Sequence, residues 1–291
     1  MNRPSLILLV GIPGSGKTTY AEKYIEVCGN VIHLSSDKIR AELWGSEATQ
    51  GDNNEVFSLM QSRAIEALNN GHNVIYDATN ITRKDRSYII SLCPKFVKIE
   101  CHIVWAPIET CIERDAARKR TVGKEVIDKM LKRFQAPYYD EGIDEIKVII
   151  PDGFIKSEYS SKCMEDMEIP HDNPHHTLGI GDHCYEACRY AEFVLNADDD
   201  VFAAAEIHDI GKPYTKAFVD GKGNPSETAH FYQHHCIGSW ISYGMPNITP
   251  YRAWLISVHM DPFLNTKYYN KLPTYLKKQV DLLHEADLNA H

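Results

Sequence analysis

The chain has no apolar run near the roughly 20 residues that span a bilayer, no Cys-x-x-Cys pair and no excess of positive charge. The first absence argues against a membrane-spanning helix. The second leaves neither a zinc knuckle nor a disulfide scaffold, so Cys28, Cys93, Cys101, Cys111, Cys163, Cys184, Cys188 and Cys236 read as reduced thiols that mostly fill cores. The third, a net charge of −9, is a poor match to broad nucleic-acid affinity, although a local basic patch can still bind one strand end. Internal repeats and low-complexity tracts are missing as well. What is present is ordinary globular composition, 43% hydrophobic over 291 residues, enough chain for two cores. The opening SLILLV would look like the apolar part of a secretion signal were it not followed directly by a glycine-rich loop. It is expected to be a buried strand, and the protein cytoplasmic and without a membrane partner.

Charge and histidine divide the chain. Residues 1–150 hold 20 Lys+Arg and 20 Asp+Glu, so the whole deficit of nine falls after residue 150. Eleven of the 14 histidines lie from His171 onward. In the first half, short apolar runs (SLILLV, VIHLSS, HNVIYDA, KIECHIVW) alternate with amphipathic stretches, including one from about Asn54 to Asn69. That rhythm predicts a parallel α/β sheet with ligands at the carboxyl ends of its strands. Pro151-Asp152-Gly153 and a polar stretch break the pattern, so residues 151–174 are expected to be a connector. From residue 175 to 291 apolar residues recur at helical spacing, predicting an all-α second domain.

Gly11, Gly16, Lys17 and Thr18 satisfy G-x-x-x-x-G-K-[ST], and Gly14 adds another permissive backbone position. Such a loop, including Ser15 and Thr19, would wrap the phosphates of ATP in backbone N–H groups. Lys17 would neutralise β/γ charge and Thr18 would ligate Mg²⁺. The acceptor side must come from later strand ends. After VIHLSS stands Asp37-Lys38-Ile39-Arg40: Asp37 could take the proton of an attacking hydroxyl while Arg40 binds an acceptor phosphate, or Asp37 could simply cap a helix and pair with Arg40. After HNVIYDA, Asp77 could orient Mg²⁺ water or the acceptor, with Asn80 and Arg83 close behind, or could belong to a plain turn. Arg114 and Arg118 share a helix face, and from Arg114 to Arg133 eight basic residues face three acids, as in an arginine lid or a solvated basic face.

Together the loop, Asp37-x-x-Arg40, the DATN segment and Arg114/Arg118 resemble the 5′-hydroxyl polynucleotide kinase family over roughly residues 5–145. The resemblance implies an α/β P-loop kinase domain at residues 1–150 that transfers the γ-phosphoryl of ATP to a 5′-OH end. Asp37 would be the base, Arg40 would bind the 3′-side phosphate, and Arg114 and Arg118 the nucleotide phosphates.

In the second half, His208-Asp209 is preceded by His183 and followed by Asp287, a mixture of imidazole and carboxylate that suits divalent transition metals. This set resembles the H…HD…D pattern of the HD phosphohydrolase superfamily. The resemblance implies His183, His208, Asp209 and Asp287 as ligands of Mn²⁺, Ni²⁺, Co²⁺, Fe²⁺ or Zn²⁺, His234 and His259 as a second site, and Lys212 as an auxiliary of phosphoester hydrolysis. His230, His235 and His284 compete for the second site, while His175 and His176 read as structural or substrate-edge groups. The combination resembles bifunctional end-healing enzymes. It implies nucleic-acid ends, RNA before DNA, as partners, with a nucleoside triphosphate as donor and a 3′-phosphate or 2′,3′-cyclic phosphate as the ester hydrolysed. A nucleotide or small-molecule kinase joined to an HD nucleotidase or to a metal-stabilised sensor is the competing expectation, and oligomeric state is open.

Overall fold

In a computed structural model describing residues 3–46, 51–118, 120–174 and 177–290, the chain forms two units. One comprises residues up to Met130 together with Pro137–Asp152; the other comprises Leu131–Ala136 and everything from Gly153 onward. His175 and His176 lie outside the described residues.

The first unit runs β1 (Ser5–Val10), α1 (Lys17–Cys28), β2 (Val31–Ser35), α2 (Ser36–Trp44), α3 (Asn53–Asn69), β3 (Asn73–Asp77), α4 (Arg83–Leu92), β4 (Lys98–Val104), α5 (Ile108–Ala116), α6 (Lys124–Leu131), a 3₁₀ turn (Tyr139–Glu141) and β5 (Glu145–Ile149). All five strands are parallel, in the order β2-β3-β1-β4-β5. β1 is central and almost wholly buried, which is why SLILLV is a continuous apolar run instead of an alternating one. Helix limits follow local chemistry. Asp52 caps α3 by accepting from the Asn54 N–H, Thr82 caps α4 by accepting from the Asp85 N–H, and Gly45 ends α2 in the left-handed region. The α/β sheet expected from the first half is present, its strands falling on the four apolar runs and on EIKVI.

Residues 131–136, which the patterning left inside the first domain, pack instead with the second unit. Phe134 is fully buried edge-on against Trp240 and Tyr243, and the Ala136 N–H donates to Ser257 Oγ at 3.2 Å. The second unit continues through α7 (Lys156–Asp166), α8 (Ile180–Phe193), α9 (Asp199–Ala205), β6 (Ala217–Val219), β7 (Pro225–His230), α10 (His234–Ser242), α11 (Pro250–Val258), α12 (Asp261–Leu264), α13 (Thr266–Tyr269) and α14 (Thr274–Asn289). Two features differ from an all-α domain preceded by a connector. Helix α7 occupies the middle of the expected connector, held by the buried stripe Cys163 and Met167, which a polar majority hides. A hairpin, β6–β7, is closed by Asp220, whose carboxylate accepts from the N–H groups of Lys222 and Asn224 while Gly223 takes a φ of 85°. Elsewhere the unit is helical: α8 packs on α9 and α14, and α11 on α9, α10 and α14.

Candidate active sites

The loop between β1 and α1 is shaped by close approach. At Gly14, φ is +81° and an added Cβ would lie 2.1 Å from the Cys111 carbonyl oxygen at the start of α5, so only glycine fits. Gly16, the N-cap of α1, is left-handed and supplies no capping side chain, which leaves the first-turn N–H groups of that helix open to an anion. Gly11 donates its N–H to the Thr79 carbonyl at 3.0 Å, tying the loop to the end of β3, and the Ser15 hydroxyl beside it is buried without a protein partner. Lys17 Nζ donates to the Ile12 carbonyl at 2.9 Å. Burial pushes the Lys17 ammonium down to about 8, with Arg118 adding to the depression and Asp77 opposing it.

Thr18 Oγ1 donates to Asp77 Oδ2 at 3.1 Å, and His33 Nε2 lies 3.1 Å from the same oxygen. Asp77 therefore stands on the P-loop side of the cleft. A hydroxyl and a carboxylate so close together are the hard oxygen donors that Mg²⁺ takes. His33 belongs to no motif, and the signal for it is its place two residues before the end of β2, near the strand ends where the site lies.

Lys17, Thr18 and Asp77 open into a cleft of about 850 Å³ lined by both the P-loop and the start of α2. Asp37 sits in the first turn of α2, but Ser35 is the N-cap and Asp37 is 56% exposed, paired with Arg120 at 3.1 Å. Arg40 does not reach Asp37. Its Nη2 donates to Asn53 Oδ1 at 3.0 Å and its Nη1 is buried with no partner. The alternative in which these two residues serve only to cap a helix and pair with one another is thereby set aside. Arg118, Arg120 and Asp115 also line the cleft, and Arg114 Nη1 would come within 3.9 Å of a Cβ on Gly16. The buried Asp115 carboxylate accepts from the N–H groups of Val122 and Gly123 at 3.0 and 2.9 Å, fixing the turn that follows the arginines. Lys124 pairs with Asp128 and is solvated, so the basic segment is part cleft wall and part outer surface.

Two expected acceptor residues do not line this cleft. Asn80 is buried at a φ of 45°, with Nδ2 donating to the Leu9 carbonyl at 2.8 Å and its own carbonyl accepting from Arg86. Arg83 lies 3.9 Å from Glu141. Both belong to a structural clip centred on Arg86, which is fully buried and makes a bidentate pair with Glu141 at 2.8 and 2.7 Å. Because Glu141 is far away in sequence, spacing could not separate the clip from a substrate contact.

The second unit gathers six expected ligands. His183, His208, Asp209 and Asp287 form one set and Asp209, His234 and His259 another, with donor atoms within 4.8 Å of one another in each set. His183 lies on α8, His208-Asp209 just beyond α9, His234 at the start of α10, His259 just beyond α11, and Asp287 on α14. Each imidazole is oriented in the same way: Nδ1 faces a backbone carbonyl, that of Ala290 for His183 (2.9 Å), Ala205 for His208 (2.8 Å), Phe231 for His234 (2.9 Å) and Ile256 for His259 (2.8 Å). A proton held on Nδ1 leaves the Nε2 lone pair as the inward group. Two Nε2 atoms, those of His234 and His259, are only 3.2 Å apart, and His183 and His208 Nε2 lie 2.9 and 3.2 Å from Asp287 Oδ1. Lone pairs facing lone pairs and carboxylates in a buried pocket repel unless a cation or proton lies between them. The donor set therefore fits divalent transition metal.

Burial opposes ionisation of Asp209, but Lys212, His208 and His234 outweigh it and hold its carboxyl well below the usual range. Lys212 Nζ lies 2.5 Å from Asp209 Oδ2 and 3.0 Å from His171 Nε2. His171, whose Nδ1 faces the Leu178 carbonyl at 2.8 Å, had no sequence signal beyond its membership of the histidine-rich half. His230 stacks on Tyr232, His284 packs edge-on to Phe263, and His235 is buried with Nδ1 unpartnered; none joins either set among the described residues.

A glycine-rich loop between a central parallel strand and a helix, with a lysine, a hydroxyl and a strand-end carboxylate around it, defines a P-loop nucleotide-binding domain in the first unit. Residues 6–137 match the family profile described as an AAA domain. The curated relatives include a "Transcription factor bHLH140" of Arabidopsis thaliana, 23% identical over 156 residues (48% of this chain, 15% of that one). A second is a 6-phosphofructo-2-kinase/fructose-2,6-bisphosphatase of Aquarana catesbeiana, 31% identical over 107 residues (31% of this chain, 23% of that one). The chain thus spans less than a quarter of the length of either. Among solved structures, a chain of the Pnkp1/Rnl/Hen1 RNA repair complex aligns with a TM-score of 0.42 and 24% identity, covering 46% of this chain and 44% of that one. No described helix is long and apolar enough to cross a membrane.

Proposed function

We propose that the protein is a bifunctional nucleic-acid end-healing enzyme. Its first unit would be an ATP-dependent 5′-hydroxyl polynucleotide kinase, and its second a metal-dependent phosphohydrolase acting on 3′-phosphate or 2′,3′-cyclic phosphate ends. One observation carries the kinase reading: phosphate-binding groups, an exposed acid paired only with a cleft arginine, and an arginine with one Nη left over open into one cleft. The N–H groups at the start of α1 and Lys17 would grip the β- and γ-phosphates, with Arg114 and Arg118 beside them. Thr18 and Asp77 would hold Mg²⁺, which when bound neutralises charge on the phosphates. Asp37 would exchange its Arg120 partner for the acceptor hydroxyl and take its proton. The buried, unpartnered Nη1 of Arg40 would receive the phosphate on the 3′ side of the terminal nucleotide.

The hydrolase reading rests on the shared orientation of four imidazoles, each with Nδ1 on a carbonyl and Nε2 inward. A divalent transition metal held by His183, His208, Asp209 and Asp287, with a second at Asp209, His234 and His259, would supply an activated water and charge neutralisation for phosphoester hydrolysis. Lys212 would fix Asp209 and keep positive charge at the pocket wall.

Incubation with γ-labelled ATP should label a 5′-OH oligonucleotide, RNA before DNA. Label on a nucleoside or sugar but on no oligonucleotide would assign the protein instead to small-molecule kinases joined to an HD nucleotidase or sensor. His208→Ala should abolish metal-dependent phosphate release while sparing the kinase, and equal release by parent and variant would remove the hydrolase assignment.

A further inference from the structure

We infer that Phe57 is the stacking platform for the base of the acceptor's terminal nucleotide, so that the cleft selects a nucleoside-bearing hydroxyl over a sugar or simple alcohol. This deepens the kinase reading and rests on it.

Helix α3 buries Val56, Met60, Ala64, Ala67 and Leu68 as its core stripe. Phe57 is off that stripe, half-buried, and lines the cleft together with Asn53, one turn earlier on the same helix face. It is the one aromatic side chain among the described residues lining the cleft. A phenyl ring left out of the core and lining a cleft of mixed polar and apolar side chains can offer its π-face to a planar partner.

Its neighbours sort by function. Asn53 holds Nη2 of Arg40 and leaves Nη1 of Arg40 buried and unpartnered, and Asp37 lies one turn before Arg40 on α2. Hydroxyl, phosphate and base would thus each meet a different chemical group within one wall. Charge supports the assignment. With 20 basic and 20 acidic residues in positions 1–150, the unit as a whole carries no net positive charge to track a long phosphate backbone, and its local basic segment lies in part at the cleft. Contacts to the terminal nucleotide then matter most, and base stacking on an aromatic ring is strong and sequence-tolerant.

The test uses the full-length protein, ATP and two 5′-OH oligonucleotides that differ only in carrying a normal or an abasic 5′-terminal residue. For Phe57→Ala and Phe57→Leu, the KM of the normal oligonucleotide should rise on the order of 10-fold, the usual cost of losing one base–aromatic stack. The KM of the abasic oligonucleotide and the KM of ATP should stay at the parental values. Phe57→Trp should keep the parental preference for the normal acceptor. Equal losses on both oligonucleotides, or no loss on either, would overturn the stacking role while leaving the kinase reading in place. Failure of the parent to label either oligonucleotide while it labels a sugar would overturn both.

Discussion

Addition of Mn²⁺, Ni²⁺, Co²⁺ or Zn²⁺ should stabilise the second unit against heat, and the size of the effect follows from how its pocket is built. His234 and His259 point their Nε2 atoms at one another across 3.2 Å, and Asp209 and Asp287 are both held ionised within the same cluster. An ion that binds this folded arrangement and not the unfolded chain adds about 2.7 kcal/mol at 100 times its Kd. For a domain of this size each kcal/mol raises Tm by about 2–4 °C, so a rise of roughly 5–10 °C is expected. Calorimetry separates the result from the P-loop unit, whose transition should respond to ATP and Mg²⁺ instead. Paired His183→Ala and His208→Ala substitutions should abolish the shift from the first ligand set, whereas His259→Ala should leave part of it. An unchanged transition with all four ions, or an equal shift in the paired variant, would refute the metal assignment.

Affinity for ATP should fall as pH rises through about 8, because burial lowers the Lys17 pKa to that value and the triphosphate needs its charged form. Isothermal titration from pH 7 to 9.5 should show the decline in the parent and a flat profile in Lys17→Gln; a flat profile in both would exclude it. Arg86→Ala should lower the stability of the first unit by about 3–5 kcal/mol by stranding buried Glu141, and Arg86→Met with Glu141→Leu should recover much of that loss in denaturant melts. Burial depresses His171 to about 4 and His235 to about 3, so both are neutral in the folded protein at pH values where the unfolded chain already takes up protons. The contribution of these two histidines should therefore be fully present above about pH 6.5 and be lost as pH falls toward 4, by of order 3 kcal/mol for His235 and less for His171; His235→Leu should flatten the acid side of the measured curve.

The sheet of the first unit was legible because each strand is a short apolar run and each loop carries its own chemistry. SLILLV directly before a glycine-rich loop leaves little choice of structure. The six expected His and Asp ligands are legible as residue types but not as a geometry, since the carbonyls that orient the imidazoles are backbone atoms with no sequence signature. Asn80 and Arg83 show the opposite problem. Their place after a strand end looks like acceptor chemistry, and only the long-range partner Glu141 reveals a structural clip. Phe134 explains why residues 131–136 crossed a boundary drawn from patterning: a single large ring finds its partners, Trp240 and Tyr243, more than a hundred residues away. His33 and Phe57 carry no motif, because one histidine in a strand and one phenylalanine in a helix are ordinary core residues until the partner Asp77 of the first and the cleft beside the second are known.

The most direct measurement of the central claim is the rate of γ-phosphoryl transfer from ATP to a 5′-OH oligonucleotide by the parent and by Asp37→Asn. Loss of the base should lower kcat by on the order of 10²-fold or more, with the KM for ATP unchanged. Transfer by Asp37→Asn at the parental rate would contradict the account.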